Sequence, residues 1–152
     1  MKTLDLISKH LKELYYGNNW TAVSFPTVLS DVDWKIACKE RKGFNSIATL
    51  VNHMNFYVIA AIDAINGASS IPPDKDSFIK LDFQSETDWI NLKQDSLDAV
   101  NQLLELLSKQ DDDILLKPFI DPAHGNYYRF IQGLIEHSHY HLGQIMILKK
   151  LD

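Results

Sequence analysis

Apolar side chains return every three or four residues along four long stretches of this chain, a period that gathers them on one face of a helix and scatters them over both faces of a strand. Leu4, Ile7, Leu11, Leu14 and Tyr15 make the first stripe, and Gly17-Asn18-Asn19 stops it. Asn45 or Ser46 caps the second, whose stripe of Ile47, Leu50, Val51, Met54, Val58, Ala61, Ile62 and Ile65 runs to Asn66-Gly67. Ser85, with Asp88 three residues on, opens the third; it carries Trp89, Leu92, Val100, Leu103, Leu104 and Leu107 and ends near Asp111-Asp112-Asp113. The fourth covers residues 127–151, with Phe130, Leu134, Ile145 and Leu148 inward and Lys149-Lys150 at the negative end of the helix dipole.

What lies between these stretches sets the topology. Pro26 opens a short extra helix carrying Val28, Leu29, Val32, Ile36 and Ala37 before Arg41-Lys42-Gly43 ends it. Residues 68–84, with Ser69-Ser70, Pro72-Pro73 and no sustained period, read as a connection over the surface, and another passes through Pro118 and Pro122. Short loops would imply simple up-and-down neighbours. The expected fold is therefore all-α: a four-helix bundle with long crossover connections and a short extra helix between helices 1 and 2, as a single domain over residues 1–152.

Composition narrows function by exclusion. With a net charge of −5 and a pI near 5.6, and with lysines and arginines that form no stripe, the chain lacks a surface for neutralising phosphates, so nucleic acid is not an expected partner. Asp5, Lys9, Lys12 and Glu13 interrupt the N-terminal stripe, unlike the apolar centre of a signal peptide, and no run is expected to reach membrane-spanning length. The single cysteine, Cys38, allows no internal disulfide and no cysteine-based zinc cluster, which fits a reducing cytoplasm; the residue itself reads as a small buried hydrophobe. Trp20, Trp34 and Trp89 read as core and cap residues.

The histidines carry the chemical signal. Four residues apart on a helix, His137 and His141 stand only ~40° apart around the axis, with Gln144 on the same line, while His139 points away. A metal ion needs a further ligand, and His53 is the other histidine in an apolar setting, on the shoulder of the second stripe. Three neutral imidazoles leave coordination positions open for water or substrate, and such a site could activate either water for hydrolysis or a thiol. The spacing alone also permits histidines at the edge of a core, bonded to carbonyls. A helical zinc-protease motif would place a glutamate after the first histidine; Ser138 stands there instead, which excludes that reading. Gln144 reads equally as a group orienting a ligand and as a helix-edge amide, and Tyr57, one turn beyond His53, as packing more readily than as pocket lining. His10 and His124 receive no role.

The segment HSHYHLGQIMILKK, together with SIATLVNHM in an earlier helix, resembles the DinB-like superfamily of metal-binding four-helix bundles, whose last-helix pattern is histidine, three residues, histidine, any residue, Gly-Gln-Ile. The likeness extends over essentially the whole chain and includes the Gly-x-Asn-Ser-Ile entry into the second long helix. It implies that His53, His137 and His141 ligate a divalent ion such as zinc, nickel or iron, and that some relatives form homodimers. Characterised relatives include S-transferases that join low-molecular-weight thiols such as bacillithiol or mycothiol to electrophiles, and a mycothiol-dependent isomerase. The expected activity is thus metal-dependent thiol transfer to a small-molecule substrate, with a metal-dependent small-molecule hydrolase or a non-enzymatic metal-binding stress protein as alternatives. Gly143, which also matches the pattern, is expected to permit close helix approach at a cost of ~1 kcal/mol in helix propensity.

Overall fold

In a computed structural model describing residues 2–151, the apolar stripes become α1 (Thr3–Tyr16), α4 (Ile47–Ile65), α5 (Glu86–Ser108) and α6 (Tyr127–Leu148), with two short helices, α2 (Phe25–Leu29) and α3 (Trp34–Cys38), between the first pair. The described residues form no strand, only isolated bridges between Arg41 and Phe44 and between Pro118 and Asn126. Capping chemistry sets the helix starts. Ser46 accepts the Thr49 N–H at 3.1 Å, Ser85 accepts that of Asp88 at 3.3 Å, and Asn126 accepts that of Arg129 at 2.9 Å. The start of α1 is served from afar: the Asp112 carboxylate accepts the N–H groups of Thr3 and Leu4, each at 2.9 Å. The aspartate run that follows α5 therefore also ties the start of α1 to a segment 108 to 109 residues further along the chain.

Both α1 and α4 pack against α5 and α6, which places α1 and α4 at opposite corners of the bundle. Consecutive long helices α1 and α4 are thus diagonal, and the 30-residue span between them has to cross an end of the bundle, which is why it is long. The core is one apolar cluster that includes Leu4, Leu11, Leu14, Ile47, Val51, Val58, Leu103, Leu107, Ile131 and Ile145. Trp89, at 0% exposure, is its largest member, and its indole N–H donates to the Val32 carbonyl at 2.7 Å, so burial leaves no donor unpaired.

Several expectations need correction. The single short helix expected from Pro26 is two, broken between Leu29 and Trp34, with Asp33 capping the second through the Ile36 N–H. Trp20 is not a core residue: it is 98% exposed, in a turn flanked by Asn18 and Ala22, both at positive φ, which throws its indole outward. Trp34 and Cys38 are half-buried at the edge of the core. Nothing lies within 4 Å of where a Gly143 Cβ would stand, so that glycine mediates no close helix approach, and no contact explains it. Regular helix ends at Leu148, short of 151; Lys149 turns its ammonium away from the helix end to the Val28 carbonyl at 2.8 Å and to Asp31. Finally, α4 is long and apolar enough, by length and composition, to cross a membrane, contrary to the expectation that no run is; 72% of that window is buried inside the bundle.

Candidate metal centre

Two facing helices and one connection build the centre. His53 projects from the middle of α4, His137 and His141 from consecutive turns of α6, and α4 and α6 are packed neighbours. The three ring centroids lie 4.3–4.8 Å apart. The Nε2 atom of His137 is 2.9 Å from the Nε2 atoms of both His53 and His141. His53 and His141 are 2% and 4% exposed, and His137 is half-buried.

Proton bookkeeping shows what these nitrogens present to one another. The hydroxyl of Ser77 donates its only proton to the Asp74 carbonyl at 2.5 Å, so its oxygen, 2.5 Å from His53 Nδ1, accepts there and Nδ1 carries the ring proton. Likewise His141 Nδ1 lies 2.7 Å from Gln144 Oε1, which can only accept, while the Gln144 amide nitrogen donates to the Tyr140 hydroxyl at 2.9 Å. Both rings therefore aim an Nε2 lone pair at the same point as His137 Nε2. The His137 Nδ1 has no hydrogen-bond partner, so the metal-free contact is satisfied when His137 Nε2 carries the proton and shares it with the two facing lone pairs. With that proton on Nδ1 instead, three lone pairs face one another and a divalent ion fits: at metal–nitrogen bonds of about 2.0–2.1 Å, nitrogens about 90° apart stand ~2.9 Å from each other. The described residues thus contain a group of three histidines able to hold a metal ion.

Electrostatics keeps the rings in the ligating form. Burial, reinforced by the neighbouring histidines, pushes the pKa of His53 and of His137 down from the ordinary 6.5 to about 4. Burial also lowers His141, against an opposing pull from its bond to Gln144 and from the Asp74 carboxylate. At neutral pH all three are uncharged, as metal ligation requires.

The connection at residues 68–84 is no mere surface crossing. It forms a 3-10 turn, Asp74–Ser77, that sits on α4: the Thr49 hydroxyl donates to the Ile79 carbonyl at 3.1 Å and the Asn52 amide to the Ser77 carbonyl at 2.9 Å. Phe78 stacks on His53 with centroids 3.8 Å apart. Ser77, Asp74 and Phe78 are the neighbours of the centre that sequence reasoning missed, and the apolar residues Ile71, Phe78, Ile79, Leu81 and Phe83 within the connection were the available sign of docking. Gln144 does contact a candidate ligand ring, that of His141. Tyr57 both packs and lines the site: its ring stands edge-on to His53 and His137, and its hydroxyl donates to Asp74 at 2.6 Å. Burial and that carboxylate raise the Tyr57 pKa well above the usual phenol value.

His139 lies apart, its Nδ1 donating to the Ile135 carbonyl at 3.1 Å, with Thr21 and His10 nearby. His124, given no role from sequence, borders a cleft of about 250 Å³ together with Tyr57, Arg129, Phe130, Gly133 and His137. Neither protein-family models nor curated proteins nor solved structures match this chain, so the chemistry of the centre is read from its own atoms.

Proposed function

We propose that this protein is a metal-dependent enzyme of the DinB-like kind that joins a low-molecular-weight thiol to a small electrophile, with His53, His137 and His141 holding a zinc, nickel or ferrous ion. One observation carries the reading: two buried imidazoles and a half-buried one converge, and Ser77 and Gln144 set the tautomers of His53 and His141 so that both turn an Nε2 lone pair to the meeting point. Such an ion, when bound, supplies Lewis acidity that lowers the pKa of a thiol or water occupying its remaining positions. The chain's own contribution is to hold the three rings neutral and to fix two of them, His53 and His141, through acceptors on their Nδ1 atoms. In the reaction the thiol gives its proton to solvent, its sulfur forms a bond to an electrophilic carbon, and the leaving group departs with the electron pair of the bond it loses. No oxidation is involved. The cleft bordered by His137 gives a small molecule access to one side of the centre.

The test is to load the protein with zinc, nickel or ferrous iron and to follow thiol consumption against a panel of electrophiles, with a chelated control. Metal-dependent loss of thiol is the expected result. Turnover that proceeds without added thiol would assign the site to hydrolysis instead, and metal that alters stability while no substrate is consumed would make the protein a binding protein.

A further inference from the structure

We propose that the cleft beside the centre is a binding site for small aromatic carboxylates, with Arg129 as the group that reads the charge. Its walls are aromatic: Phe130 stacks on Phe119 at 3.7 Å, and His124 stands edge-on to Phe130 at 5.4 Å, with Tyr57 opposite at 6.2 Å from His124. About 250 Å³ suits one substituted ring, since a 150 Å³ apolar cavity already admits benzene.

The polar edge of the cleft offers donors and no carboxylate. Three acids lie close by, yet none lines the cleft and each is turned to a partner: Glu136 to Arg129, Asp74 to the Tyr57 hydroxyl, and Asp121 to the Ala123 N–H. Arg129 commits one Nη1 contact to Glu136 at 3.0 Å, and its side chain is 60% exposed, which leaves the rest of its donor fork for a ligand. Gly133, one turn further along α6, leaves open space beside this guanidinium: a Cβ there would stand 3.6 Å from Arg129 Nη1, an ordinary contact, so it takes a longer side chain at 133 to displace the arginine. A ring laid in the cleft against Tyr57, His124 and Phe130, with its carboxylate on Arg129, would direct its far end toward His137.

That last feature rests on the reading of the three-histidine centre; binding itself does not, and it is measured on chelator-stripped protein, so failure to bind and failure to retain a metal are separate results. Benzoate and its neutral isostere benzamide are titrated by calorimetry and by NMR shifts of the Tyr57 and Phe130 rings. The wild-type protein should favour benzoate, Arg129→Met should remove roughly tenfold or more of benzoate affinity while leaving benzamide unchanged, and Gly133→Leu should weaken both. Circular dichroism confirms that each variant is folded. Equal affinity for the two probes, no binding of either, or a benzoate preference that survives Arg129→Met would each overturn the proposal.

Discussion

Replacing Ser77 with alanine isolates the contribution of the 68–84 connection to the histidine centre. In the wild-type chain the His53 Nδ1–H donates to Ser77 Oγ at 2.5 Å, and both residues are buried, at 2% and 1% exposure. Another acceptor near that nitrogen, Asp74 Oδ1, is 3.8 Å away, beyond hydrogen-bond reach, and already takes the Tyr57 hydroxyl at 2.6 Å. Alanine therefore strands a buried N–H out of reach of water, a loss of about 1–3 kcal/mol in the metal-free protein. It also frees the ring to rotate or to move its proton to Nε2, which removes the lone pair that a cation needs. Loss of such a supporting bond weakens metal affinity by about 10–100-fold. Three measurements test this: urea unfolding of the chelated protein, competition for zinc against a chromophoric chelator, and imidazole nitrogen shifts that report the His53 tautomer. Ser77→Thr, which restores a hydroxyl, should recover part of the affinity. An alanine variant with zinc affinity within about twofold of wild type and an unchanged tautomer would refute the reasoning.

The double variant His137→Ala, His141→Ala should retain no stoichiometric divalent ion by elemental analysis, and metal that persists in it would reject these residues as ligands. Without metal, stability should fall as the pH drops from 6.5 to 4, because the unfolded chain takes up protons there that the folded His53 and His137, at about 4, refuse. The loss approaches about 3 kcal/mol for one such histidine and less than double for the coupled pair, and a urea midpoint flat across that range would contradict it. Trp89→Phe should cost about 1–3 kcal/mol by stranding the Val32 carbonyl and leaving a small void, with no change in metal affinity. Coupled loss of metal affinity in that variant would show that α5 supports the centre, which its placement does not suggest.

The long helices were legible because their information is local. Leu4 to Tyr15, or Ile47 to Ile65, state their period within the helix itself, and Ser46 and Ser85 mark starts that depend on residues three positions away. The same holds for His137 and His141, whose shared face follows from helical geometry alone. His53 is a different case, since its meeting with them across 84 residues depends on which helices pack together, and no spacing within α4 encodes that. The connections hid the most. Ser77 matters through the path a 17-residue segment takes over α4, and His124 through a 3-10 turn that brings it against Tyr57 and Phe130. Trp20 went wrong for a related reason: composition assigns a tryptophan to the interior, whereas two positive-φ residues in its turn send it to the surface.

Because residues 68–84 hold one of the three rings, the connection and any cation those rings take up share a single free-energy balance. Linkage makes that sharing reciprocal: whatever the clamped loop adds to cation affinity, an occupying cation must return as resistance of the loop to opening. Amide exchange at Ser77 and Ile79 would then slow when the ion binds, and lengthening the loop by even one residue would be felt first as weaker metal retention, before any helix unfolds.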